Sequence, residues 1–218
     1  KAIGGNWLAG FKLFISNPFL LAIGLFLFLY TGIGSFVYFE LKNLMAEYSR
    51  AERTEIWAFM DLATNTLTIL GGLFITSRLA TKFGLGLTLA FLPIIVLAGL
   101  FSVALLPLLP VVIGLQIFRR GGNYAITRPA REMLFTYVDQ ESRFKAKQVI
   151  DVIVYRGGDV FWGWAFTLLT TVIGLGMAGV ALVGAFIAAL WAWLGFYLGR
   201  QSQNIEQSNT KPKTETSN

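Results

Sequence analysis

The sequence predicts an all-α membrane protein, a bundle of six transmembrane helices, and three observations predict it. Only 14% of the residues are charged against 55% hydrophobic, where soluble domains carry about 25% charge. Four runs, 18–41, 56–77, 84–106 and 177–199, are apolar over the ~20 residues that a helix needs to cross a bilayer. Two further apolar runs, 108–118 and 160–173, fall short of that length and reach it only by extending into charged neighbours.

The chain holds neither cysteine nor histidine. Disulfides, thiolate nucleophiles, Cys/His metal sites and the commonest general base are therefore all missing. No pair of carboxylates, serines, tyrosines or lysines has a catalytic spacing, so neither an enzyme nor a metal or other cofactor is expected. A glycine-rich loop with Lys-Ser/Thr to cradle phosphates is absent too. The net charge of +6 gathers at the ends of the apolar runs, which is the pattern of bilayer orientation rather than nucleic-acid binding.

Residues 1–17 are expected to form an interfacial helix or a linker. Trp7, Phe11, Phe14 and Ile15 share one stripe with Lys12 off it, as in a helix lying on a membrane surface. The chain starts at Lys1 without a signal-peptide pattern and is expected to be a piece of something longer. Asn17-Pro18 opens the first span, 18–41, because Asn caps and Pro suits the first helical position. The second span, 56–77, carries Asp61, Thr64, Asn65 and Thr68 on one stripe. Asp61 with Asn65 is read either as a site for a coupling proton or as a boundary cluster in contact with water. A basic link, Arg78 to Lys82, leads into the third span, 84–106, which Pro107 and Pro110 end. The fourth span is 108–130 and the fifth 151–173. Gly174-Leu175-Gly176 then turns the chain into the sixth, 177–199, whose Trp191, Trp193 and Tyr197 form an aromatic belt. Residues 200–218 are polar and aperiodic and read as a disordered tail.

Six spans put Arg78, Lys82, Arg131, Arg143, Lys145, Lys147 and Arg200 on one side, and Lys42, Arg50 and Arg53 on the other. The positive-inside rule then places both ends of the chain in the cytoplasm, with a bacterial inner membrane as the expected location. A five-span count, with 108–150 as a re-entrant loop, spreads the charges less cleanly.

The charged halves of spans four and five carry the chemistry. A central arginine costs roughly 2.5–3.5 kcal/mol in a span, and each large apolar residue returns only ~0.3–0.6. Arg119 and Arg120 cancel what 108–118 gains, so this segment needs protein, acids or a water-filled cavity beside it. Arg120, Tyr124, Arg128 and Glu132 recur every fourth residue, one helical stripe, and Gly121-Gly122 and Pro129 interrupt the same segment. Broken spans with charge at membrane depth point to a transporter's binding site. The candidate substrate-binding residues are Arg119, Arg120, Asn123, Tyr124 and Arg128. Adjacent positions point ~100° apart, so one of Arg119 and Arg120 is expected to face the path. Glu132, Lys145, Lys147, Asp151, Arg156 and Asp159 are candidates for a gate or charge network. The structural alternative for Arg78, Arg128, Arg131 and Arg156 is snorkelling, or pairing with Glu132, Asp151 and Asp159.

Residues 119–159 read RRGGNYAITRPAREMLFTYVDQESRFKAKQVIDVIVYRGGD. Through Asn123-Tyr124, Glu132-Met133, Lys145, Lys147, Ile150-Asp151-Val152, Arg156 and Gly158, the stretch resembles the ATP/ADP translocase family. Those proteins are nucleotide exchangers of plastids and intracellular bacteria, related to the major facilitator superfamily. The resemblance implies a twelve-helix facilitator fold with this chain as the C-terminal half and an N-terminal six-helix half as its partner. It implies antiport of a small anionic solute such as a nucleotide. This chain departs from the family pattern at Asp159, where the exchangers carry a base, and at Thr127-Arg128-Pro129-Ala130-Arg131, where they carry an F-D-P-T-K-like run. The expected function is secondary active transport by alternating access. The alternative is a non-transporting sensor or scaffold whose basic loop, 131–147, binds anionic lipid or a soluble partner.

Overall fold

Asn17 and Pro18 start the first long helix as their chemistry dictates. The Asn17 Oδ1 accepts the N–H of Phe19 at 2.9 Å and that of Leu20 at 3.4 Å, while Pro18 sits at the first turn. The computed structural model describes residues 7–74 and 76–210, and among them all regular structure is helical. The elements are α1 (Trp7–Ser16), α2 (Pro18–Leu44), α3 (Arg50–Phe74), α4 (Thr76–Leu105), α5 (Leu109–Gly122), α6 (Arg128–Leu134), α7 (Gln140–Gln148), α8 (Tyr155–Thr167) and α9 (Met177–Thr210). Among the described residues four helical stretches are long and apolar enough to cross a membrane: Pro18–Leu44, Arg50–Phe74, Thr81–Leu105 and Met177–Ser208.

The two charged segments are helical as well. A π-helical turn, Asn123–Thr127, joins α5 to α6, and another, Val149–Val154, joins α7 to α8. A third π-turn, Leu168–Val172, ends the second rod. Gly121-Gly122 and Pro129 therefore do not break the fourth segment, contrary to the sequence expectation. The glycines instead let α5 approach Leu67 of α3 and Leu92 of α4, and the wider π-turn lies just before Pro129, whose missing N–H removes one rung of the ladder.

Gly84 (φ 74°, ψ 171°) kinks α4 where the third span was expected to begin, a backbone region that only glycine enters cheaply. Beyond the kink, α4 and α9 pack backbone against backbone. A Cβ on Gly199 would overlap the Gly86 Cα, so the contact exists only because both side chains are hydrogen atoms. Helix α2 is the central rod, with Leu20, Ile23, Ile33 and Leu41 wholly buried. Against it lies Trp162 of α8, whose Nε1 donates to the Phe28 carbonyl at 2.9 Å.

Trp191 is not part of an aromatic belt. It is 0% exposed, its ring centroid 5.4 Å from Phe26 and 5.6 Å from Tyr30. Its position on α9 faces α2, whereas Trp193 points outward and stacks on Tyr197. At the N-terminus residues 7–16 are helical, one of the two readings of 1–17, and at the C-terminus the expected disordered tail is corrected in part. In α1 only Phe14 of the apolar stripe is buried, against Gly24 of α2; Phe11 and Ile15 stay exposed, and the side chain of Trp7 lies outside the described residues. The tail is helical through Thr210, because Ser202 is buried and Ile205 packs on the core. Residues 211–218 lie outside the described residues.

α1 rests against α7, where Gly10 meets the Lys145 carbonyl, and the Tyr137 hydroxyl donates to Glu206 of α9 at 3.5 Å. The N-terminal helix, the 135–139 connector and the last turns of α9 thus share one end of the bundle.

Candidate functional site

Gln116, Arg119 and Arg120 fall on consecutive faces of α5, and α5 is wedged between α2, α3 and α4. That placement buries Arg119 to 7% exposure. Its Nε donates to the Gln116 Oε1 at 3.0 Å, its guanidinium lies 5.4 Å from the Tyr30 ring centroid, and Gly34 of α2 leaves room for its Nη1. Among the described residues no carboxylate lies within 4 Å of Arg119. A buried guanidinium with only a neutral amide and a ring beside it keeps most of its charge available.

Arg119 opens on a cavity of about 560 Å³ between α2, α3, α5 and α8. Tyr38 and Trp57 form one wall, and Asp61, Arg120, Tyr124, Tyr155 and Asp159 also line it. Both arginines reach this cavity, rather than one of the two. Arg120 is satisfied there, its Nη1 2.6 Å from the Asp61 Oδ1. Asp61 accordingly serves as a counter-ion across α3 and α5. Asn65 is exposed and lines neither this cavity nor the next.

A second cavity of about 310 Å³ lies further along the same groove. Asn123, Arg128, Arg131, Asp151 and Arg156 line it, and Tyr30, Tyr124 and Tyr155 line both cavities. The three tyrosines stand where the two spaces meet. The sequence stripe of Arg120, Tyr124 and Arg128 therefore does follow one groove, with the π-turn carrying its middle member.

The charge network centres on Arg131, which is 8% exposed. Its Nη2 lies 3.1 Å from Asp151 and 3.5 Å from Glu132, and Glu132 also holds Lys147. Burial opposes the charge on Glu132, but Lys147 and then Arg131 outweigh it and hold the carboxyl below its ordinary value. Glu132, Lys147 and Asp151 are thus brought together as a network that staples α6 to α7 and the following π-turn. Lys145 is not in it; its Nζ pairs with Glu141 one turn back at 2.6 Å. Arg156 and Asp159 lie beyond the network, without an ion pair within 4 Å among the described residues. Each instead faces a cavity, Arg156 the smaller and Asp159 the larger.

Sequence reasoning passed over several of these groups. Tyr30, Gly34 and Tyr38 recur every fourth residue in the first span, a stripe that could have been found. Gln116, the one polar side chain in the run 108–118, sits a turn before Arg119. Glu40 was also missed. It is 5% exposed and lines a small space walled by Phe36, Leu100, Val103, Val112, Leu115 and Val180, with no ion pair or hydrogen bond to its carboxyl among the described residues.

Compared with known protein families, curated proteins and solved structures, the chain matches none. The likeness of 119–159 to the nucleotide exchangers accordingly rests on those residues alone.

Proposed function

We propose that the chain is the C-terminal six-span half of a facilitator-type secondary transporter that moves a small anionic solute by alternating access. The observation that carries this is Arg119, a buried guanidinium with no carboxylate on it among the described residues, opening on a cavity between four helices. Lipid does not accept such a charge, and a purely structural arginine would be paired, as Arg120 is. The two cavities meeting at Tyr30, Tyr124 and Tyr155 supply a route with a constriction. In this reading 108–130, with α5 and the π-turn after it, and 151–173, with α8, are the fourth and fifth spans, and the N-terminal six-helix half closes the groove. The bundle end that holds α1, Arg131, Lys147 and the last turns of α9 faces the cytoplasm, following the excess of positive charge.

A sensor or scaffold would need both arginines sealed by acids, and only Arg120 is. Uptake of a labelled anion panel, ATP included, into vesicles holding the full-length protein tests the proposal. Arg119→Ala is expected to lower uptake by at least about tenfold, as for loss of a charge-assisted contact of about 1.5–3 kcal/mol. Unchanged uptake in that variant removes the site, and no uptake of any solute removes the transporter.

A further inference from the structure

The ionisable groups lining the larger cavity, tyrosines aside, are Arg119, Arg120, Asp61 and Asp159, two of each sign. Arg120 and Asp61 neutralise one another in an ion pair at 2.6 Å. Arg119 and Asp159 do not: they line the same space from α5 and α8, and no ion pair within 4 Å joins them. Asp159 lies first in the field of Arg156, which lines the smaller cavity, and second in that of Arg119. The cavity therefore presents one available cation and one available anion, held apart. The smaller cavity differs, with Arg128, Arg131 and Arg156 against Asp151 alone.

We infer that the larger cavity binds a zwitterion with an aromatic body, its carboxylate on Arg119 and its ammonium on Asp159. This rests on the transporter reading above and replaces the anionic solute proposed there, for this cavity, with a net-neutral molecule that carries a carboxylate. A polyanion such as a nucleotide triphosphate meets a balanced cavity here and places excess negative charge beside Asp159, a repulsion that selects against it. A zwitterion satisfies both groups at once, the buried Arg119 and the exposed Asp159, and each charge that it leaves unmatched weakens binding. The aromatic body follows from the wall. The Tyr38 and Trp57 rings stand 6.0 Å apart at 39°, and Tyr30, Tyr124 and Tyr155 face the same space. Ring faces of this kind take a planar apolar group and orient it edge or face on. The volume of about 560 Å³ lies within the range of small-molecule sites, ~300–1,000 Å³.

The test is equilibrium binding of four probes to the full-length protein in detergent. Tryptophan carries both charges, indole-3-propionate lacks the ammonium, tryptamine lacks the carboxylate, and ATP is the polyanion. Tryptophan is expected to bind at least about tenfold tighter than each of the other three, the effect of one unmatched charge. In Asp159→Asn the preference for tryptophan over indole-3-propionate disappears, and in Asp159→Glu it returns. Indole-3-propionate or ATP binding tighter than tryptophan, with loss in Arg119→Ala, overturns the zwitterion while leaving an anion transporter in place. Failure of all four probes also overturns it, and the uptake panel then decides the transporter separately. If Asp159→Asn fails to elute as the wild type does, the ranking of the four probes on the wild-type protein still separates a zwitterion site from an anion site.

Discussion

At the scale of single residues, the most exposed weakness of the bundle is Glu40. A carboxyl walled by Leu100, Val112 and Val180 has given up most of its water without gaining a donor or a cation among the described residues, and such burial costs about 1–3 kcal/mol. Glu40→Leu is therefore expected to raise unfolding stability by roughly that amount, read as a higher melting temperature in detergent. A lower one would mean that Glu40 has a partner in the full-length protein. Arg119 and Glu40 show what a sequence can disclose about single side chains. Two adjacent arginines in an apolar run announce a problem wherever they point, so Arg119 was legible. A lone acid near the end of a span looks like a boundary residue. Its burial depends on which face of α2 meets α4, α5 and α9, whose positions come from residues roughly 60 to 140 places further on.

At the scale of elements, the starts of α2 and α9 were legible because length, capping and hydrophobicity are local properties. Helix α3, by contrast, begins at Arg50 rather than at the expected 56, its first turn held by reciprocal hydrogen bonds between Ser49 and Glu52. Asn17 caps α2, Gly84 kinks α4 and Gly174 (φ 77°) turns the chain before α9, as the residues themselves require. The continuation of α9 to Thr210 was not legible. Its polar composition resembles a tail, and only the contacts of Ser202 and Ile205 with the rest of the bundle hold it. The π-turns left no signal in the periodicity either. The contact between α4 and α9 depends on Gly199 more than on any large side chain. Gly199→Ala drives a methyl into the Gly86 Cα, so the helices must separate, and overpacking of this kind costs about 1–3 kcal/mol. The expected outcome is a lower melting temperature, with Gly114→Ala, where a Cβ meets nothing within 4 Å, as the neutral control.

At the scale of the whole molecule, two cavities of different charge share a collar of three tyrosines, and every helix that lines them is α2, α3 or one of the two charged rods. Helices α4 and α9 contribute no lining residue to either cavity; they form a glycine-seamed backing. The division of labour explains why the sequence pointed so clearly to the charged segments and so poorly to their partners. Charge at depth marks the site, whereas the walls are ordinary aromatic residues that fill membrane helices everywhere. The π-turn at Asn123–Thr127 has a further implication. Such a turn holds one residue beyond what an α-helix would use, so the chain carries a spare rung in the middle of a rod. Removing Ala125 is expected to convert the bulge to regular helix and leave Arg119 and Arg131 with their neighbours, so that the protein still elutes as a folded species. Removing Val112, where no surplus exists, swings everything before or after it by about 100° and should abolish folding.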